Sequence, residues 1–192
     1  RMFNDEYEVK NELYAGDISF IGSMYNEKHN LYDRLCGVND YTKGYLDAIM
    51  KVQRSIYGYF FLEDMLKGDV LDEMMRVCPV KPNEDGVETV QYVYANYFLA
   101  RRMATDERTD ILSRVGRELG RENKINLYTP DASVRFINVN NKGTVDYYNE
   151  MPYVFRNSRI NLNITLRSIK SGIPLRCMDI CGAGGFLLSN YQ

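Results

Sequence analysis

Tryptophan is absent from this chain, and histidine occurs once, at His29. A single imidazole leaves no material for a histidine-built zinc centre. His29 lies in the polar run Asn26-Glu27-Lys28-His29-Asn30, which marks it as a solvated residue rather than a catalytic base. Cysteine is scarce and wrongly spaced for metal. Cys36, Cys78, Cys177 and Cys181 form no CxxC pair, and an iron–sulfur site would want a third closely spaced thiol. Free, mostly buried thiols in a reducing cytoplasm are the expected state. No apolar run approaches the roughly 20 residues that span a bilayer, and the first ten residues are polar and acidic, unlike a secretion signal. An excess of one charge is also missing. Twenty-four basic against 26 acidic residues leave a formal net charge of -2, no footprint for nucleic acid or an anionic membrane. Spaced carboxylate dyads are lacking too, since Glu63-Asp64 and Glu84-Asp85 are adjacent pairs suited to a charged face or a loop. The expectation is a cytoplasmic protein with no metal, no cofactor and no assigned catalytic residue.

What is present is ordinary globular composition, 45% hydrophobic and 26% charged over 192 residues. Residues 1–16 suggest a linker or polar helix. Asp17-Ile18-Ser19-Phe20-Ile21-Gly22 has the form of a short buried strand closing on a glycine turn, and residues 17–40 open an α/β lobe. From 41 to 120 the pattern is helical and carries no strand. Tyr45, Ile49, Val52, Ile56, Phe60 and Met65 draw one apolar stripe, and Val87, Val90, Tyr94, Tyr97 and Phe98 another, with the loop Pro79 to Gly86 between them. Thr105 followed by two acids predicts a helix N-cap, with Ile111, Leu112, Val115 and Leu119 facing a core and Gly120 ending the helix.

After Gly120 short strands alternate with helices. Strands are predicted at 124–129, 134–139, 159–165 and 186–189, and helices from Thr144 to Tyr148, from Pro152 to Ser158 and from Pro174 to Cys181. This alternation predicts a Rossmann-like parallel sheet of about five strands, interrupted by a helical insertion at 41–120 and resumed over 121–192. The apolar run ending at Leu188 has no covering helix after it, as a truncated lobe would, and such an uncovered surface favours self-association.

In an open parallel sheet, ligands bind beyond the carboxyl ends of the strands. The first candidate there is Lys170-Ser171-Gly172-Ile173-Pro174-Leu175-Arg176-Cys177-Met178-Asp179. A glycine loop entering a helix offers backbone N–H groups to a phosphate. Arg176 in the first helical turn pairs with such an anion, and Asp179, one turn on, can accept both hydroxyls of a ribose. The bland alternative is an Arg176–Asp179 surface pair of little energy. The second candidate is the turn Gly22-Ser23, where a small residue admits a ligand close to the backbone. The third, Asn138 to Gly143, is a polar turn. Of the sixteen tyrosines seven lie in the helical part 41–120, where packing or an interface is the plain explanation. Asn163-Ile164-Thr165 matches a glycosylation acceptor but falls in a strand expected to be buried.

Four segments taken in order add a resemblance. Tyr148-Asn149-Glu150-Met151-Pro152, Ser158 to Asn163, Gly172-Ile173-Pro174-Leu175-Arg176-Cys177-Met178-Asp179 and Gly182-Ala183-Gly184-Gly185-Phe186-Leu187-Leu188 resemble the spore-maturation CgeB/YkvP-like glycosyltransferases. Asp17 to Ser23 looks like the strand opening that family's C-terminal lobe, and the match covers about a third of the chain. The resemblance implies one half of a GT-B fold, holding a nucleoside-diphosphate sugar as substrate. Gly22, Ser23, Ser171, Gly172, Ile173, Arg176 and Asp179 would be its binding residues. Related enzymes carry two glutamates separated by seven residues here; Asp179 takes the place of the second, and Ser171, eight positions before it, stands where the first would be. The partner it implies is a missing N-terminal lobe, with the acceptor site on that lobe, and no metal is required. Self-association through the helical insertion is the expected assembly. The competing expectation is a non-catalytic binding or self-assembly module on the same scaffold.

Overall fold

The structure is a computed structural model that describes residues 11–26, 30–82, 86 and 88–191. His29, Glu84-Asp85, Val87 and the first ten residues therefore lie outside the described residues. The chain divides into two compact units. Among the described residues a sheet unit comprises 11–24, Arg108–Thr165 and Gly172–Asn190, and a helical unit comprises those from Tyr25 to Glu107 with Leu166–Ser171 and Tyr191.

The sheet unit opens with a single helical turn, α1 (Asn11–Tyr14), and strand β1 (Gly16–Ile21). After the helical unit come α6 (Ala100–Leu119), β2 (Ile125–Tyr128), β3 (Val139–Asn141), α7 (Met151–Asn157), β4 (Ser158–Asn163), α8 (Leu175–Gly182) and β5 (Leu187–Ser189). All five strands are parallel, in the order β3-β2-β1-β4-β5. This is a Rossmann-like α/β fold. Register sets the two faces, because alternate residues point to opposite sides. Ile18 lies beside Ile125 and Ile160, and Phe20 beside Leu127 and Leu162. Those side chains pack with Leu112, Ile111 and Val115 from the second half of α6. On the other face Ile21 and Tyr128 pack with Val154 and Phe155 of α7 and Ile180 of α8. Every residue of β2 is buried, as a strand covered on both faces requires.

That second face also carries buried polar side chains, and those of Ser19, Asn161 and Asn163 are paired. Ser19 Oγ donates to Asn161 Oδ1 at 2.7 Å, and Asn161 Nδ2 donates to the Phe155 carbonyl at 3.0 Å. Asn163 Nδ2 is held by Thr165 Oγ1 and Ser189 Oγ at 2.7 and 3.0 Å, so the acceptor sequence is buried and engaged in the sheet.

Three expected elements lie elsewhere. The strand expected at 134–139 is a turn, with only Phe136 bridging Val139, and β3 begins at Val139. Its chain packs tightly on α6: a Cβ on Gly116 would fall inside contact distance of the Ile137 carbonyl and 2.8 Å from Val139 Cγ2. The helix expected from Thr144 to Tyr148 is a turn capped by Asp146, whose Oδ1 accepts the Tyr148 and Asn149 amides at 3.0 and 2.7 Å. Thr105 caps nothing. It lies inside α6, where its hydroxyl bonds back to the Arg101 carbonyl at 3.1 Å, because buried Ala100, Met103 and Ala104 carry the helix through.

The helical unit holds α2 (Asp40–Ser55), capped by Asn39, then α3 (Leu62–Met65), α4 (Asp69–Val77) and α5 (Val90–Val93), capped by Thr89. A π-helical segment, Tyr94–Leu99, leads from α5 into the first turns of α6. Its core joins Leu46, Ile49 and Met50 with Leu62, Met74, Tyr94 and Phe98. The inward stripe of α2 is Thr42, Leu46, Ile49, Met50 and Gln53; Val52 and Ile56 are exposed, so only Ile49 and Phe60 of the expected stripe are fully buried. All four cysteines are free, but Cys36 and Cys181 are exposed, against the expectation of mostly buried thiols. Among the described residues no helix is long and apolar enough to cross a membrane.

Candidate functional site

In the order β3-β2-β1-β4-β5 the chain reverses direction across the sheet between β1 and β4. The crevice beyond their carboxyl ends is the usual ligand position in such folds. Here Gly22 and Ser23 follow β1, and Ile164 follows β4. A guanidinium occupies the space between those strand ends. Arg108, only 7% exposed, donates Nη2 to the Ile164 carbonyl at 2.8 Å, bonds the Ser23 carbonyl through Nη1, and lies over the Phe20 ring at 5.4 Å. A Cβ on Gly22 would be 3.1 Å from the Phe20 ring, so the glycine makes room for this packing. The Ser23 carbonyl is therefore engaged with α6, and sequence reasoning missed Arg108 altogether. An arginine following a glutamate in an amphipathic helix carries no signal that it turns inward.

The loop 171–174 and α8 lie beyond β4. Gly172 has φ +96°, and Ile173 and Leu175 are 73% and 79% exposed, so nothing packs over the entrance of the helix. No side chain caps the first turn of α8, and no acid stands in it. Ser171 belongs with the helical unit, whereas Gly172, Ile173, Arg176 and Asp179 belong with the sheet unit.

Arg176 and Asp179 come together on α8, with Arg176 Nη1 3.4 Å from Asp179 Oδ2 and both side chains partly buried. Arg176 does not reach out over the loop. It turns back onto α7, touching Met151 Sδ and lying 5.5 Å from the Phe155 ring centre. Burial among these groups lowers its pKa, with Asp179 opposing the shift. The other Asp179 oxygen, Oδ1, accepts the Tyr147 hydroxyl at 2.7 Å, and that bond raises the Tyr147 pKa. Arg176 and Tyr147 thus hold one carboxylate from two sides.

This carboxylate lies on the wall of a cavity of about 150 Å³ between α7 and α8, lined otherwise by Tyr147, Tyr148, Met151, Phe155 and Met178, with Pro152 and Gly182. The tyrosine rings meet edge to face, 4.9 Å apart. Asp146 pins the turn that carries them, and Glu150 Oε2 in turn accepts the Asp146 amide at 2.7 Å. Cavities that hold drug-sized ligands run to roughly 300–1,000 Å³, so this one has room for no more than a single ring system. An aromatic and thioether wall with one carboxylate suits a flat ring bearing hydroxyls beside it. The sequence signal for it was the adjacent pair Tyr147-Tyr148 in a polar turn, which composition alone assigns to packing.

No protein-family model, curated protein or solved structure matches the chain.

Proposed function

We propose that this chain is the donor-binding lobe of a glycosyltransferase of the CgeB/YkvP-like kind, holding a nucleoside-diphosphate sugar beside α8. The observation that carries the reading is Asp179, a carboxylate oriented by Arg176 and Tyr147 on the wall of an aromatic cavity on the same helix whose entrance is open. The base fits the cavity, the ribose hydroxyls meet Asp179, and the diphosphate extends to the N–H groups at the entrance of α8. Arg176 acts chiefly by positioning Asp179 and supplying positive charge beneath the site, because its guanidinium faces α7 rather than the loop. Gly172 and Ile173 lie where the diphosphate would pass. Gly22 and Ser23 are secondary members, since Arg108 already engages Ser23, and Ser171, which belongs to the helical unit, has no part in the proposed site. With the charge of a departing diphosphate stabilised at α8, the acceptor and any general base belong on a partner lobe.

Calorimetric titration with UDP and with GDP tests this. One-to-one binding to either is expected, and Asp179→Asn should weaken it at least about tenfold, as loss of a charge-assisted hydrogen bond does. Absence of binding to both, with the fold intact, would remove the proposal.

A second reading, a non-catalytic assembly module, draws on exposed Leu175, Met178, Phe186 and Leu188 around the edge strand β5. Light scattering across concentration separates the two. Constitutive association indifferent to nucleotide favours assembly, and a monomer that binds nucleotide favours the donor lobe.

A further inference from the structure

Within the helical unit the turn between α2 and α3 is fixed from beneath. Gln53 is 1% exposed and commits its amide to that turn. Its Nε2 donates to the Ile56 and Tyr59 carbonyls at 3.4 and 2.8 Å, and its Oε1 accepts the Phe61 amide at 2.8 Å. Gly58 takes φ +78°, a conformation that strains residues with a Cβ. Phe60 is thereby sunk into the core and Tyr59 is turned outward, 62% exposed. An exposed tyrosine ordinarily samples several rotamers, but here the ring is tethered at both ends. Its backbone is held by Gln53, and its hydroxyl donates to Asp64 Oδ2 at 2.6 Å, which raises its pKa.

Around this ring lies an open cavity of about 260 Å³, lined by Gly58, Tyr59, Phe60, Glu63, Asp64 and Lys170. Lys170 Nζ stands 3.3 Å from Glu63 Oε2, an ion pair exposed enough that a ligand opens it at little cost. We propose that this cavity is a carbohydrate subsite that takes a neutral or amino-bearing pyranose ring. The chemistry follows from the three kinds of group present. A tethered aromatic face matches the apolar C–H face of a pyranose without the entropy loss of ordering the ring. The Glu63 and Asp64 carboxylates accept from adjacent hydroxyls, and the Lys170 ammonium donates to a ring or hydroxyl oxygen. Two carboxylates against one ammonium favour a neutral or cationic sugar and repel a uronic acid or a sugar phosphate. The proposal is independent of the Asp179 site, because every group in it belongs to the helical unit.

Saturation-transfer NMR tests it with three probes at millimolar concentration: methyl glucopyranoside, methyl glucosaminide and methyl glucuronide. Transfer to ring C–H protons is expected for the first two and not for the third. Tyr59→Ala should abolish the transfer, Asp64→Asn should weaken binding about tenfold, and Tyr41→Ala, at an exposed tyrosine outside the cavity, should change nothing. Far-UV circular dichroism checks that each variant is folded. If Tyr59→Ala disturbs the turn, Lys170→Met carries the same prediction of weakened binding on an intact backbone. Absence of transfer from the neutral and amino sugars, transfer unchanged in a folded Tyr59→Ala, or tighter binding of the glucuronide would each overturn the proposal.

Discussion

Two glycine-to-alanine substitutions should move stability in opposite directions, and the structure fixes each sign. Gly44 is inside α2, with nothing within 4 Å of the position its Cβ would take. Alanine there removes backbone freedom from the unfolded chain and should stabilise by about 0.5–1 kcal/mol. Gly116 is inside α6 and should gain the same helical preference. Its Cβ, however, would collide with the Ile137 carbonyl and approach Val139 Cγ2 to 2.8 Å. The obstacle is backbone, not the end of a flexible side chain, so the turn at 137–139 must shift. Overpacking of this kind costs about 1–3 kcal/mol, and more when backbone must move. Subtracting the propensity gain leaves a net loss of about 0.5–2 kcal/mol. Urea unfolding followed by circular dichroism reads both, with each unit's transition fitted separately if they part. A stabilised Gly116→Ala would refute the close packing of the 137–139 turn on α6.

Other substitutions probe the groups that hold each unit. Gln53→Leu removes the contacts to Ile56, Tyr59 and Phe61 and should cost about 2–4 kcal/mol, with faster hydrogen exchange at the Phe61 amide as the local readout. Arg108→Met leaves the Ser23 and Ile164 carbonyls without their guanidinium and should lower the unfolding free energy of the sheet unit by about 2–4 kcal/mol; an unchanged midpoint would show the crevice is not held this way. Glu73 is pulled down to about 2 by hydrogen bonds from Arg76 and from the Asn39 amide. A depressed carboxylate contributes stability above its unfolded pKa of 4.5 and loses it as pH falls through its folded value, so the Glu73 contribution should fade between pH 4.5 and about 2. A carboxylate titration by NMR should give that low midpoint, and Arg76→Ala should raise it.

The parallel sheet was legible because β1 and β2 hold buried apolar residues, β4 alternates isoleucine and leucine with asparagine, and β5 is a short apolar run after a glycine turn. The third strand was not, because Val139-Asn140-Asn141 pairs only along one edge and is mostly polar. In α2 two stripes one residue apart are nearly equivalent by periodicity. The deciding residue is Gln53, a polar side chain buried for the sake of a turn, which no hydrophobic pattern reveals. At the candidate site, Arg176 and Asp179 were legible as an i, i+3 pair on a helix, and the structure brings them together. Their surroundings were not. Tyr147, Met151 and Phe155 come from a different helix and its preceding turn, and the inward swing of Arg108 depends on carbonyls 85 and 56 residues away in sequence.

A crystal structure of the chain with a bound nucleoside diphosphate tests the central claim most directly. The base is predicted in the cavity lined by Tyr147, Tyr148 and Met178, with the ribose hydroxyls on Asp179 and the phosphates at the entrance of α8. Density for the nucleotide at the β1–β4 crevice, with Arg108 displaced and the α7–α8 cavity empty, would contradict it.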